Sequence, residues 1–230
     1  DYTIDATSAA SIVAGLNSGN VTINASTGSA TGATVTNSAA AGLGSITISS
    51  AITNNTTANT LTLTAGAAIN VNAAISLTSG TLTMTAASYS GTGAISARSV
   101  NIAATLSGGT LASNIAIGSS GGVFGVAAGQ TATFSGRVSG TGQLRIGDVS
   151  NTGAVTLTGA NTYTGGTTIA TGATLNVSPA AAANTPLGSG GVITNNGTIN
   201  ITPATTSGTF LDPDYSWAVA QTVSGPGAIN

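Results

Sequence analysis

Cysteine, histidine, lysine and glutamate are all missing from this chain of 230 residues, and its formal charge rests on Arg98, Arg137, Arg145 and five aspartates. Each absence excludes something. Without cysteine there is no disulfide framework, an absence shared by many cytosolic proteins and weak as evidence for compartment. Without His, Cys or Lys the common groups for acid–base and nucleophilic catalysis near neutral pH are gone, and only aspartate remains. A net charge of −2 with no Lys/Arg cluster lacks the concentrated positive charge that nucleic acid or an anionic membrane surface needs in a partner. No apolar run approaches the roughly 20 residues that span a bilayer, and no basic-then-apolar leader opens the chain at Asp1, so it reads as a soluble, mature or excised piece with no membrane insertion. Only 3% of the residues are charged, yet 41% are hydrophobic, which argues against a disordered chain.

What is present is Ala, Thr, Ser, Asn and 33 glycines, arranged as short strand-like triplets, mostly in apolar–polar–apolar order. They are Val21-Thr-Ile23, Thr34-Val-Thr36, Ile46-Thr-Ile48, Leu61-Thr-Leu63, Ile69-Asn-Val71, Ile75-Ser-Leu77, Leu82-Thr-Met84, Val100-Asn-Ile102 and Ile115-Ala-Ile117. Alternation at period two over β-branched residues, broken by Gly or Asn every few positions, is strand chemistry. Leu61 and Leu82 are 21 residues apart and Leu82 and Val100 are 18 apart, which suits a coil of about 20 residues with three strands per turn. In residues 155–177 the pattern is clearest: Val155 and Leu157, Tyr163 and Ile169, and Leu175 and Val177 can each face one side, with Gly159, Gly165, Gly166 and Gly172 at the bends. Such a unit cannot bury its apolar edge alone and must stack on copies of itself. The expected fold is therefore an all-β, right-handed parallel β-helix over 1–230, of about eleven coils and on the order of 50 Å long at about 4.8 Å per coil.

The run Leu157-Thr-Gly-Ala-Asn-Thr-Tyr-Thr-Gly-Gly-Thr-Thr-Ile169, followed by Gly172-Ala-Thr-Leu-Asn-Val177, resembles the passenger-associated repeat of type V autotransporter adhesins. The segment Ala10-Ser-Ile-Val-Ala-Gly-Leu-Asn-Ser-Gly-Asn-Val-Thr-Ile23 is similar to one found in large filamentous-haemagglutinin-like exoproteins. The resemblance implies a β-helical stalk carried outside the outer membrane of a Gram-negative bacterium, and a structural and adhesive role.

Residues 1–20 depart from the strand pattern. Ile12, Val13 and Leu16 fit one helical face, so the segment is either a short helix capping the open hydrophobic end of the solenoid or a surface strand. Residues 178–187, with two prolines and a run of alanines, read as a loop leaving the coil. Three versions of one hexamer, Ser90-Gly-Thr-Gly-Ala-Ile95, Ser139-Gly-Thr-Gly-Gln-Leu144 and Ser224-Gly-Pro-Gly-Ala-Ile229, suggest a longer repeat, with Thr131–Phe134 and Tyr215-Ser-Trp217 as equivalent rungs and the stretch from Val138 to Val223 as one cycle.

Candidate chemistry is sparse. Asp212 and Asp214 could form a glycosidase-like pair or a Ca²⁺ site, although Asp212-Pro-Asp214 is also an ordinary turn. Gly118-Ser-Ser-Gly-Gly122 lacks the lysine of a phosphate loop and reads as a turn. The sequons at Asn20, Asn24, Asn54, Asn55 and Asn196 are expected by chance in a chain this rich in Asn and Thr. Thr-x-Thr elements, among them Thr60-Leu-Thr62, Thr81-Leu-Thr83 and Thr131-Ala-Thr133, could form an ice-matching lattice, but their spacing looks irregular. No catalytic, cofactor or metal residue is assigned. The leading expectation is a non-enzymatic extracellular adhesive solenoid that associates end to end or binds a host or abiotic surface. Its rivals are a self-assembling filament, in which Ala228 and Ile229 join a neighbour near Tyr2 and Ile4, and a polysaccharide-active β-helix enzyme. The latter would need Arg98, Arg137 and Asp148 to converge.

Overall fold

In each described triplet the apolar residues point inward and the middle residue outward, as period-two alternation requires once one side of a strand is buried. A computed structural model describes residues 1–26, 29–31, 44–106, 109–177, 187–201 and 223–230 of the chain. Thr34-Val-Thr36, residues 178–186, Asp212, Asp214, Tyr215 and Trp217 lie outside them. Among the described residues the chain is a parallel β-solenoid, three short strands per coil, with in-register pairing from coil to coil.

The first face stacks Tyr2–Ile4, Ile46–Ile48, Ala68–Val71 and Ser88–Ser90, and a bridge from Tyr89 to Gly109 passes the stack on to Thr110–Leu111, Thr131–Phe134, Ala154–Leu157, Thr174–Val177, Thr198–Ile201 and Ala228–Ile229. The second face is an aliphatic column in register, Ile52, Ile75, Ile95, Ile115 and Val138. On the third face Val21, Leu61, Leu82, Val100, Gly122, Leu144, Thr167, Ile193 and Val223 stack one above another, giving nine levels. Leu61, Leu82 and Val100 are thus coil neighbours, as their spacing predicts. Among the described residues the ten levels of the first face and nine of the third fall short of the eleven expected because coils differ in length. Val21 pairs with Leu61 and Ile193 with Val223, so single coils take up 40 and 30 residues.

The lumen is closely packed and mostly aliphatic, with a few aromatic rings. Leu61, Leu63, Leu82 and Ile169 are completely inaccessible, and Phe124 and Phe134 stack across it with ring centroids 4.4 Å apart. Burying a residue of this size stabilises by about 1.5–3 kcal/mol. The few lumen hydroxyls are paired where they can be. Tyr163 Oη lies 2.6 Å from Thr167 Oγ1, and Tyr89 Oη sits between the carbonyls of Met84 (2.9 Å) and Ala103 (2.8 Å). Burial pushes both phenols well above the usual tyrosine range. Tyr2 Oη is buried without a hydrogen-bond partner among the described residues.

The N-terminal segment is helical. Ala6–Ser18 takes the place of a second-face strand in the first coil, between Tyr2–Ile4 and Val21–Asn24. It starts earlier than the apolar spacing suggests because Asp5 caps it, Oδ1 accepting from Ser8 N at 2.8 Å. The inward side is Ala9, Ile12 and Leu16, and Val13 is only partly covered. Its C-terminal end is tied to the next coil: Thr57 Oγ1 and Asn59 Nδ2 donate to Leu16 O at 2.9 and 2.7 Å, and Asn54 Nδ2 donates to Asn17 Oδ1 at 2.9 Å. Thr57 and Asn59 thereby satisfy the Leu16 carbonyl, one of those a helix end leaves open.

The repeated hexamer is a corner device. Gly91, Gly140 and Gly225, the second residue of each copy, have φ of +106°, +107° and +108°. A Cβ on any of them would be driven into a carbonyl oxygen of the coil beneath, that of Val71, Ile117 or Asn195. The three copies turn three different corners: first face to second at Ser90, second to third at Ser139, third to first at Ser224. They therefore do not bracket one long cycle. The hexamer encodes a bend, and the same bend serves at each of these three corners.

Candidate ligand-binding face

Outward side chains at mid-strand positions fall into columns one coil apart, and the three faces use them differently. On the first face they bond to one another. Asn176 Nδ2 donates to Thr156 Oγ1 (3.4 Å), Asn200 Nδ2 to Asn176 Oδ1 (2.9 Å) and Asn230 Nδ2 to Asn200 Oδ1 (3.0 Å). Lower on the same face Asn70 links Thr47 and Ser90. The second face has a short version, Ser96 to Ser76 to Asn55. The first-face ladders follow the strand register, because stacked pleats bring identical positions within reach coil after coil, whereas Asn55 joins the second-face one from beyond the end of its strand.

The third face differs. Its outward column reads Thr22, Thr62, Thr83, Asn101, Val123, Arg145, Thr168 and Thr194, and Thr64, Thr85, Ala103 and Gly125 stand beside it. The Thr-x-Thr elements at 60–64 and 81–85 are one coil apart and in register, so the irregularity seen in sequence is only coil-length variation. The lattice still ends there: Asn101 and Ala103 follow, and Thr131 and Thr133 belong to the first face. Thr62, Thr64, Thr83, Thr85 and Asn101 make no side-chain hydrogen bond within the described residues, although all are half-buried.

Where the column narrows to Ala103 and Gly125, a groove of about 320 Å³ opens over Thr83, Thr85 and Asn101. Its wall is the loop at 147–153, which carries Asp148 and Asn151. Both ends of this loop are fastened to the strand Gly122–Val126, Gly147 N donating to Phe124 O and Gly153 N to Val126 O, each at 2.8 Å. Gly125 is needed for the overhang, since a Cβ there would stand 2.8 Å from Asn151 Cβ. Asp148 Oδ1 accepts from Ser150 N (2.7 Å), Asn151 N (2.9 Å) and Asn151 Nδ2 (3.0 Å), and Oδ2 accepts only from Asn151 Nδ2 (3.0 Å). Partial burial opposes ionisation of Asp148, but those hydrogen bonds and the nearby Arg145 charge outweigh it and hold the carboxyl below its ordinary range.

The other charged residues are dispersed. Arg98 occupies a bulge between the second and third faces, its Nε donating to Ser120 Oγ at 3.0 Å, and Arg137 lies at the entry to the second face, where its backbone N–H bonds Asn114 Oδ1 at 2.9 Å. The fold does not bring Arg98, Arg137 and Asp148 together. Residues 118–121 form the expected turn, with Gly121 at φ +77°. Among the described residues no three His, Cys, Asp or Glu side chains group as metal ligands, and no helix is long and apolar enough to cross a membrane. Comparison of the chain with known protein families, characterised proteins and solved structures returns no match. Sequence reading missed the groove, since it arises from two small residues in one column and a loop two coils away in sequence.

Proposed function

We propose that this chain is a non-enzymatic extracellular β-solenoid, a passenger or stalk segment that extends from the surface of a Gram-negative bacterium and mediates attachment to host cells, abiotic surfaces or sibling cells. The observation that carries the reading is the nine-level continuous stack of the third face, about 40 Å long, whose outward column carries neutral hydroxyls and amides apart from Val123 and Arg145. Such a body gains length by adding coils, each stabilised by its neighbours, and its low charge lets it approach surfaces of either sign. The resemblance of residues 157–177 to the passenger-associated repeat supports the same reading. Displayed on non-adherent cells through an outer-membrane barrel, the chain should raise their attachment to epithelial cells, plastic or one another; display at full density with no rise on any of these would refute it.

A second reading, a filament subunit, is favoured by one observation. Val223 and Ile229 are 41% and 53% exposed in the outermost described strands, an edge that accepts a further strand from adjoining chain or from another molecule. Sedimentation of the purified chain separates the two: strictly monomeric behaviour at high concentration removes the filament.

A further inference from the structure

We infer that the third-face groove over Thr83, Thr85 and Asn101 binds a short segment of a neutral oligosaccharide. Its volume of about 320 Å³ lies within the range of small-ligand sites. The floor crosses three successive strands, so it runs about 10 Å along the solenoid axis, an elongated shape suited to linked sugar rings.

The polar groups decide the class of ligand. Elsewhere outward Asn and Thr bond to each other, as in the ladder from Thr156 to Asn230. In the groove the Thr83 and Thr85 hydroxyls and the Asn101 amide are free of such bonds, and each can both donate and accept. Sugar hydroxyls have the same dual capacity. Asp148 Oδ2, with one hydrogen bond made, can accept another from a ligand hydroxyl, and its charge disfavours a phosphate, sulfate or uronate in the groove. A cation is poorly served, because Oδ1 is already filled by three N–H donors. An added peptide strand is excluded as well: the strands forming the floor are hydrogen-bonded on both edges by the coils above and below, which leaves no free backbone to pair. The wall is pre-formed, since both ends of the loop are fastened to Gly122–Val126, so a ligand need not order it.

The assignment takes its biological sense from the adhesive reading and gives it a ligand class, but the two fail separately. Groove binding is measured on the purified chain, attachment on displayed cells. Malto-, cello-, laminari- and chito-oligosaccharides, with a heparin fragment as the anionic comparison, are titrated calorimetrically into the 230-residue chain and into its variants. The expected result is binding of at least one neutral oligosaccharide, weakened about tenfold by Asn101→Leu, by the near-isosteric Thr83→Val and by Asp148→Asn, and unchanged by Thr194→Val higher on the same face. Circular dichroism identical to the parent certifies each variant, and Thr83→Val, which changes one surface hydroxyl, remains decisive if Asn101→Leu does not fold. Failure of all four neutral series to bind overturns the proposal. So does binding that none of the groove variants weakens, or binding of heparin alone that is lost in Arg145→Gln.

Discussion

Replacing Gly140 by alanine tests the corner geometry directly. Gly140 has φ +107°, in a region that side chains rarely enter, and holding a non-glycine residue in a sparsely populated conformation costs about 1–3 kcal/mol. A second term is specific to the stack. Gly140 lies in register over Ile117, and a new Cβ would be driven into the Ile117 carbonyl oxygen, which also accepts from Gly142 N at 3.3 Å. Relief requires the chain to lift from the coil beneath, loosening at least one inter-coil hydrogen bond worth about 1 kcal/mol. The two terms together predict a loss of about 3 kcal/mol. Gly129 provides the internal comparison, since its φ is +75° but a Cβ there would meet nothing within 4 Å. Gly129→Ala should cost only about 1 kcal/mol, the backbone term alone.

Guanidinium unfolding followed by far-ultraviolet circular dichroism measures both. Because solenoid coils couple mainly to their neighbours, amide exchange should also report lost protection at residues 138–140 and at 162–164, whose Thr162 and Thr164 N–H groups bond Val138 O and Gly140 O. Equal costs for Gly140→Ala and Gly129→Ala, within about 0.5 kcal/mol, would show that close approach to the underlying carbonyl contributes nothing, and the reasoning would be wrong.

Leu82→Ala, at a position with no solvent exposure, should cost about 2–5 kcal/mol in the same assay, and a cost under about 1 kcal/mol would refute the close-packed lumen. Tyr163→Phe strands the buried Thr167 hydroxyl and should destabilise by about 1–3 kcal/mol, whereas Tyr2→Phe removes a hydroxyl that has no partner and should be neutral or stabilising; the opposite order would contradict the hydrogen-bond assignments. Asp148 is held below its ordinary value of 3.8, so its stabilising contribution is complete above that pH and lost as the pH falls through the folded-state value; Asp148→Asn should flatten part of the acid limb and leave stability from about pH 5 to 7 unchanged in slope. With eight formal charges in 230 residues, the melting temperature should move little between low salt and about 1 M NaCl, and a large shift would reveal an ion network that the sequence does not offer.

The inward side of this fold could be read directly from the chain. Leu61, Leu82 and Val100 stand near one coil length apart, and alternation alone places Thr62 and Thr83 outside. The helix could be foreseen from Ile12 and Leu16, but its start needed the Asp5 cap to be recognised as such. The hexamer misled because identical sequence suggested identical position in a cycle. Its glycines satisfy a local demand, positive φ in close contact with the coil beneath, at three different corners, so it carries no information about which corner it turns.

The outer surface was harder to read for a physical reason. Whether Asn or Thr at an outward position bonds a like neighbour depends on what the next coil places directly above it, and coil lengths varying from 18 to 40 residues hide that alignment. Asn176 meets Thr156 and Asn200, and its amide is used; Asn101 meets Thr83 and Val123, and its amide is left to solvent or ligand. Both are the middle residue of an apolar–Asn–apolar triplet, Val100-Asn-Ile102 and Leu175-Asn-Val177. The distinction between a structural ladder and a binding surface therefore lies in register, a property of pairs of coils that no single triplet possesses. Substituting Val123 by asparagine would place an amide over Asn101 and should extend a ladder onto the third face, joining the two side chains in the manner of Asn176 and Asn200. Oligosaccharide binding should then fall although Thr83, Thr85, Asn101 and Asp148 are all kept and only the lining residue Val123 is exchanged; undiminished binding alongside a formed Asn101–Asn bond in a crystal structure would show that the free amide is not what the ligand reads.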